Sequence, residues 1–236
     1  MTVGLLRVEL GVIWRLDGRG RLPGPEELVI GVAADGMTAA VRADVPGSVA
    51  TRLLDLVSQG VPSPPGQPPD VLARCDALLG GGRAVSGGPC YLVRPPLRFE
   101  APAEVITSDD PSHAARLRPL RPPNWMPGEW DELLVGGAGA PWAMIVEDGQ
   151  VAAICHSARR TPEGAEAGTW TSPAFRGRGY AAATTAAWAG LLPGTRLFYS
   201  TAADNHSSQR VAARLGLDAI GWLWKLTSHG WKASRT

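Results

Sequence analysis

Apolar residues recur with two different periods along this chain of 236 residues, and the change of period marks out its elements. Mostly apolar runs at residues 7–14, 27–33 and 38–43 are separated by the turn sequences DGRGRLPG and ADG, a pattern that predicts a meander of strands. The spacing then lengthens to that of a helix. Val49, Leu53, Leu54 and Val57 share one face over residues 48–58, behind Ser48 as candidate N-cap, and Val71, Leu72, Cys75 and Leu78 repeat the pattern over 69–79. VPSPPGQP between them reads as a stiff extended connector, and GGGRAVSGGP at 80–89 as a flexible, solvated loop. Residues 91–93 and 97–99 are expected as short strands interrupted by Pro95 and Pro96, with a domain border near residue 103.

Beyond that border the elements come in another order. A strand at 105–107 precedes helices around 112–117 and 130–134, and a hairpin follows in which 142–146 and 151–157 flank the turn EDGQ. After the loop RRTPEG come a strand at 166–171, a turn rich in Gly and Arg, and a helix to about residue 191 stopped by Pro193 and Gly194. A strand at 197–200, a helix over 206–215 ended by Gly216 and a last strand at 220–226 complete the chain. The pattern predicts an α/β fold with a mixed sheet over 103–236, β-α-α-β-β-β-α-β-α-β, behind an N-terminal α+β domain at 1–102.

Bulk composition removes several functions. A formal net charge of +1 and 19% charged residues offer no basic stripe to neutralise many phosphates, so nucleic acid is not an expected partner. Cys75, Cys90 and Cys155 are widely spaced without a CxxC pair, which points to reduced thiols in a cytoplasmic protein and to no metal site. No run of 18 apolar residues occurs, and the N-terminus MTVGLLRVELG carries a charge at Arg7 before any long apolar stretch, so neither a membrane span nor an export signal is expected.

The most informative segment is AEAGTWTSPAFRGRGYAAA, beginning at Ala165. Here a strand leads to a turn and then to a helix of small residues. Gly177 and Gly179 lack a Cβ, so the backbone can adopt positive φ and approach a ligand, while the free N–H groups of residues 178 to 181 open the helix and point the same way. A diphosphate suits such a cradle. The helix terminus contributes about 0.3–1 kcal/mol towards an anion, and the amide nest with Arg176 and Arg178 must supply the rest. Gly177-x-Gly179-x-x-Ala182 also satisfies the dinucleotide fingerprint, but Pro173 interrupts the approach and no acidic residue ends the next strand to take a ribose hydroxyl. A P-loop is excluded because no Gly-Lys-(Ser/Thr) follows the glycines.

Over roughly residues 103–236 this order of elements and motifs resembles the GNAT superfamily of N-acetyltransferases. Arg176-Gly177-Arg178-Gly179-Tyr180-Ala181 matches the family's (Gln/Arg)-x-x-Gly-x-(Gly/Ala) motif, which holds the coenzyme A pyrophosphate. Thr171-Ser172-Pro173 stands at the end of the family's fourth strand, Tyr199-Ser200 on the next, and Asn205-His206-Ser207-Ser208 leads a helix ending in Leu215-Gly216-Leu217. The resemblance implies acetyl-CoA as co-substrate and direct acetyl transfer to a primary amine, with a small molecule as expected acceptor. It also implies that the fourth strand splays from the fifth, which by position makes the amides of Trp170 and Thr171 the oxyanion donors. Asn205 and Ser208 are then candidates for the pantetheine arm, although Asp204 or Asn205 equally suits a cap of the following helix.

Acyl transfer also needs a base for the ammonium proton and an acid for the leaving thiolate. Glu166 is the preferred base, five residues before Thr171, and strand alternation sets it on one face with Gly168 and Trp170 unless a bulge intervenes. His156 is the runner-up. Its neighbour Cys155 projects to the other face, which disfavours a nucleophile–base dyad and an acyl-enzyme. Many relatives place a Tyr seven residues after the Asn as acid, where this chain has Ala212, so Tyr199, Tyr180 or Ser208 must substitute or the thiolate leaves unaided. That gap motivates an alternative reading, a non-catalytic acyl-CoA-binding or sensing protein. Trp125, Trp130 and Trp142 fall where relatives build the acceptor cleft, and at least one is expected to line it, whereas Trp188 is expected in the core. Residues 1–102 read either as a degenerate second copy of the fold, without a cradle, or as an unrelated domain, shaping the acceptor side or a homodimer contact.

Overall fold

The computed structural model describes residues 2–228; residue 1 and residues 229–236, the end of the domain expected at 103–236, lie outside the described residues. In chain order the elements begin with α1 (Thr2–Trp14), β1 (Glu26–Ala33), β2 (Gly36–Val41), α2 (Gly47–Ser58), α3 (Val71–Leu78), β3 (Ala84–Val93), β4 (Ile106–Thr107), α4 (Pro111–Leu117) and α5 (Pro127–Leu134). They continue with β5 (Trp142–Glu147), β6 (Gln150–Thr161), β7 (Gly164–Thr171), α6 (Tyr180–Gly190), β8 (Leu197–Ser200), α7 (His206–Arg214) and β9 (Asp218–Thr227). The fold is mixed α/β. Two compact units form, one from Met1–Tyr91, Ser200–His206 and Ala219–Thr236, the other from Leu92–Tyr199 and Ser207–Asp218. No helix among the described residues is long and apolar enough to cross a membrane.

In the first unit the strands run β2-β1-β9-β3, with β1 antiparallel to both β2 and β9. Leu28, Ile30, Leu53, Val57 and Leu226 fill the space between this sheet and α2, and Glu27 ties its edge by accepting from Arg42 at 2.9 Å and from Arg83. The strand expected at 7–14 is instead the end of α1. Its apolar residues are consecutive enough to satisfy either period, and the burial of Leu6, Glu9 and Leu10 on one side shows that the helical one prevails, packing on β1 and β2. Ser48 lies inside the first turn of α2, whose N-cap is Pro46 without a side-chain bond.

The segment expected to be a flexible loop at 80–89 belongs from Ala84 onwards to β3. Its glycines serve close approach. Gly87 and Pro89 carbonyls accept from Ala203 and Thr201 at 2.9 and 3.2 Å, and a Cβ on Gly88 would stand 1.7 Å from the Thr201 carbonyl oxygen. The turn carrying Asn205 into α7 is thereby held against β3. Residues 97–99 form no strand, since Pro95, Pro96 and Pro102 withhold ladder donors, and Phe99 packs instead against Phe175, Tyr180 and their neighbours.

The second unit orders its strands β8-β7-β6-β5-β4. From β4 to β7 every pairing is antiparallel, whereas β8 runs parallel to β7. Alternation divides the side chains: Trp142, Met144 and Ile154 join Trp130 and Leu133 of α5, while Ile145 and Ala153 join Tyr180 and Ala183 of α6. Strand β7 is therefore sandwiched between helical layers, and its C-terminal end opens at the turn before α6.

The contact at Gly88 yields a stability prediction. Gly88→Ala is expected to lower the unfolding free energy by about 2 kcal/mol or more, because backbone must shift to admit one methyl. A urea titration with an unchanged midpoint would contradict the close packing.

Candidate active site

The site begins where two strands part. Parallel pairing of β7 with β8 comprises Ala165 with Leu197 and Glu166 with Phe198, and among the described residues no later pair follows, although β7 continues to Thr171 and β8 to Ser200. Residues 167–171 therefore leave one backbone edge without ladder partners from β8, as the expected splay requires. Trp170 and Thr171 lie on this stretch and are half-buried. A bulge occurs, but its extra residue is Ala158 on β6, between the pairs Ser157–Ala167 and Arg159–Glu166, so alternation along β7 is kept. Glu166, Gly168 and Trp170 thus share a face, and Glu166, 6% exposed, stands at the last β7–β8 pair.

Beyond Thr171 a single 3-10 turn, Pro173–Phe175, delivers the chain to Arg176. Gly177 and Gly179 both take left-handed conformations, φ +83° and +87°, and Gly179 is the N-cap of α6. A nest of amides with alternating handedness opens the helix, as the sequence indicated. A Cβ on Gly177 would meet nothing within 4 Å, whereas one on Gly179 would meet Arg214 Nη1 at 3.5 Å, Phe99 Cζ at 3.6 Å and Pro102 Cγ at 3.9 Å. Arg176 is exposed. The Arg178 side chain has partners in the protein: its Nη1 donates to Glu147 Oε1 at 2.9 Å and its guanidinium lies 5.1 Å from the Phe175 ring centroid. The Tyr180 hydroxyl donates to the other oxygen of Glu147. These two side chains pin the turn to the end of β5, and Ala181 anchors the helix by accepting from Thr185 at 2.7 Å.

Two catalytic candidates meet. Tyr199 is 1% exposed and its hydroxyl lies 2.9 Å from Ser208 Oγ, on the first turn of α7. Burial raises the phenol above its usual pKa, and the Cys155 thiol and the Glu166 carboxylate push the same way, against hydrogen bonds with Ser208 and Thr169. Tyr199 accordingly keeps its proton at neutral pH. Ala212, 1% exposed, sits one turn further along α7 on the same side as Ser208, so the phenol reaches the helix next to the position where relatives place a Tyr. Asn205 belongs to the first unit, immediately before α7, with its N–H donating to Ala202 at 3.1 Å.

His156, the register partner of Gly168, stands on the face that Gly168 and Trp170 share. Its ring lies over Gly168, where a Cβ would stand 2.6 Å from Nε2, and Trp125 packs edge-on at 5.2 Å. Burial, helped by Arg159, pushes the imidazole from 6.5 down to about 4, and Nδ1 has no hydrogen-bond partner among the described residues. Cys155 points the other way, towards Thr185 of α6, and burial raises its thiol far above the usual range, so no thiolate–imidazole pair forms. Trp130 and Trp142 are 1% exposed core residues, and Trp188 donates to Ser157 at 3.1 Å; only Trp125 of the three expected near the acceptor is half-open. Among the described residues no group of three or more His, Cys, Asp or Glu is placed to hold a metal ion. Sequence reasoning missed Glu147 and Arg214, whose relation to the cradle depends on partners distant in the chain.

Residues 113–218 match the family model described as the acetyltransferase (GNAT) domain. The solved tandem GNAT protein from the clavulanic acid biosynthesis pathway is similar to this chain in fold, with TM-score 0.50 and 18% identity over 83% of this chain and 74% of that one. An acetyltransferase from the GNAT family of Colwellia psychrerythraea gives TM-score 0.48 and 15% identity over 96% of both chains. A GNAT-family protein from Novosphingobium aromaticivorans DSM 12444 gives 0.43 and 24% over 61% of this chain, which spans 66% of that protein's length. Among curated proteins none matches this chain.

The buried imidazole predicts a pH dependence. Its folded pKa lies below its unfolded one, so its contribution to stability is intact above 6.5 and is lost as pH falls from 6.5 towards about 4, where only the unfolded chain takes up the proton. His156→Gln is expected to flatten unfolding free energy across that interval. If chemical denaturation at pH 7 and pH 4.5 shows the same loss in both proteins, the burial of His156 is not its source.

Proposed function

With a GNAT acetyltransferase domain at residues 113–218 as premise, we propose that the chain binds acetyl-CoA and transfers its acetyl group directly to a primary amine of a small molecule. The observation that carries this reading is the end of β7–β8 pairing at Glu166–Phe198, beside a turn with two left-handed glycines. The residues present fit the coenzyme. The Gly177 position is open, Gly179 is lined by a guanidinium and two apolar groups, and main-chain donors at the start of α6 face the same turn.

In this assignment the amides of Gly177, Arg178, Gly179, Tyr180 and Ala181, with Arg176, hold the diphosphate, Trp170 and Thr171 donate to the thioester carbonyl, and Ser208 attends the pantetheine arm. The bound coenzyme supplies an activated acyl group. Direct transfer requires one proton removed from the acceptor nitrogen and one delivered to the departing sulfur. Glu166, at the apex of the splay, takes the first; Tyr199, kept protonated by burial and paired with Ser208, provides the second. Cys155, inert and turned towards α6, forms no acyl-enzyme.

A second reading, a non-catalytic acyl-CoA-binding or sensing protein, is favoured by Ala212 at the position of the usual acid. Steady thiol release with a panel of small amines supports the enzyme; tight binding without turnover supports the sensor. Residues 1–102 are assigned a non-catalytic role as a degenerate copy of the same fold or a homodimer contact, in a cytoplasmic protein that engages neither nucleic acid nor membrane.

Calorimetry is expected to show acetyl-CoA binding, and no heat at ligand concentrations up to about 1 mM would remove the proposal. Gly179→Val forces a β-branched residue into a left-handed conformation and is expected to weaken acetyl-CoA binding roughly ten-fold or more. Wild-type affinity in that variant would place the coenzyme elsewhere. For Glu166→Gln a fall in kcat at neutral pH of at least roughly a hundred-fold with coenzyme affinity kept is expected, and an unchanged pH–rate profile would dismiss Glu166 as base.

A further inference from the structure

Of the two guanidinium groups that the sequence fits to an anion, Arg176 is exposed and Arg178 is already engaged. Arg178 is bonded to Glu147 and stacked on Phe175, so its charge is compensated and its planar face occupied. Arg214 is different. It is the last residue of α7, its Nη1 lies 3.5 Å from where a Cβ on Gly179 would be, and no ion pair engages it among the described residues. Its backbone position is fixed by the way α7 ends: Gly216, at φ +61°, donates to Ala213 at 3.1 Å and Leu217 to Ala212 at 3.0 Å, the two bonds of a Schellman stop. Arg214 is exposed, and Phe99 and Pro102 complete the wall beside Gly179, so the guanidinium is open to an anion approaching the turn.

We propose that Arg214, not Arg178, joins Arg176 in presenting positive charge to the diphosphate of the coenzyme. Arg178 is then a positioning residue, holding the turn to β5 through Glu147. The inference rests on the reading of residues 176–181 as the coenzyme cradle. Its competitor is a purely structural one, in which a positive charge at the C-terminus of α7 offsets the helix dipole; that role changes stability and leaves ligand affinity alone.

The test is calorimetry on the full chain with coenzyme A and with 3′-dephospho-coenzyme A, at two salt concentrations, for wild type, Arg214→Gln and Arg214→Lys, alongside thermal melts. Loss of roughly ten-fold or more in affinity for both ligands in Arg214→Gln, with partial recovery in Arg214→Lys and a shallower salt dependence in Arg214→Gln, is the expected result. A loss confined to the ligand bearing the 3′-phosphate would move the contact off the diphosphate and overturn the assignment. Unaltered affinity with a lowered melting temperature would overturn it in favour of the dipole role. Should Arg214→Gln not fold, Arg214→Lys carries the test, since a diphosphate contact predicts weaker binding of both ligands and a dipole role predicts none. If wild type binds neither ligand, the cradle reading itself fails, an outcome distinct from wild-type binding that Arg214→Gln leaves intact.

Discussion

Backbone amides and carbonyls must find partners, and in a parallel pair each strand supplies them for the other. Between β7 and β8 that supply ends at Glu166 and Phe198, while residues 167–171 run on. The second unit is organised around this interruption. Antiparallel neighbours hold β7 on its other edge as far as Thr171, helices α5 and α6 cover the two faces, and the side chains of Thr169 and Tyr199 interact across the gap in place of main-chain bonds. A strand edge left open in a packed sheet is a binding surface for an extended ligand arm, and the 3-10 turn after it leads directly to a nest suited to an anion.

Charge around the turn is divided between holding and binding. Glu147, at the end of β5, gathers Arg178 and the Tyr180 hydroxyl, a pairing partly exposed and worth little by itself in free energy, yet sufficient to orient the loop. Among the described residues, Arg176 on the turn and Arg214 at the end of α7 carry positive charge without an ion-pair partner. Deeper in the site, burial sets protonation: Tyr199 keeps its proton and His156 stays neutral, so each enters the physiological range in a single form. Such an arrangement suits a transfer in which protons move between fixed positions.

Much of this was legible in the sequence because it is local. Gly177 and Gly179 announce their conformation by being glycine between a strand and a helix of small residues, and the order of strands and helices from residue 105 onward follows from apolar spacing and the turn signals at Gly149, Pro193 and Gly216. What was not legible depends on distant partners. The run at 7–14 fits both periods until packing on β1 and β2 selects the helix. Gly87 and Gly88 look like a flexible loop because the strand and turn they touch, Leu223 and Thr201, are more than a hundred residues away. Arg178 was fitted to an anion by motif, and only the fold shows Glu147 beside it and Arg214 across from Gly179. The pairing of Tyr199 with Ser208 likewise appears only when α7 packs beside β8.

Amide hydrogen exchange with and without acetyl-CoA tests the central claim most directly, since it reads the main-chain groups themselves. Binding at the splay predicts slowed exchange at residues 167–171 and 177–182 and little change in the antiparallel hairpin of β5 and β6. Exchange at those two segments that is indifferent to saturating acetyl-CoA, or protection confined to other parts of the chain, would contradict it.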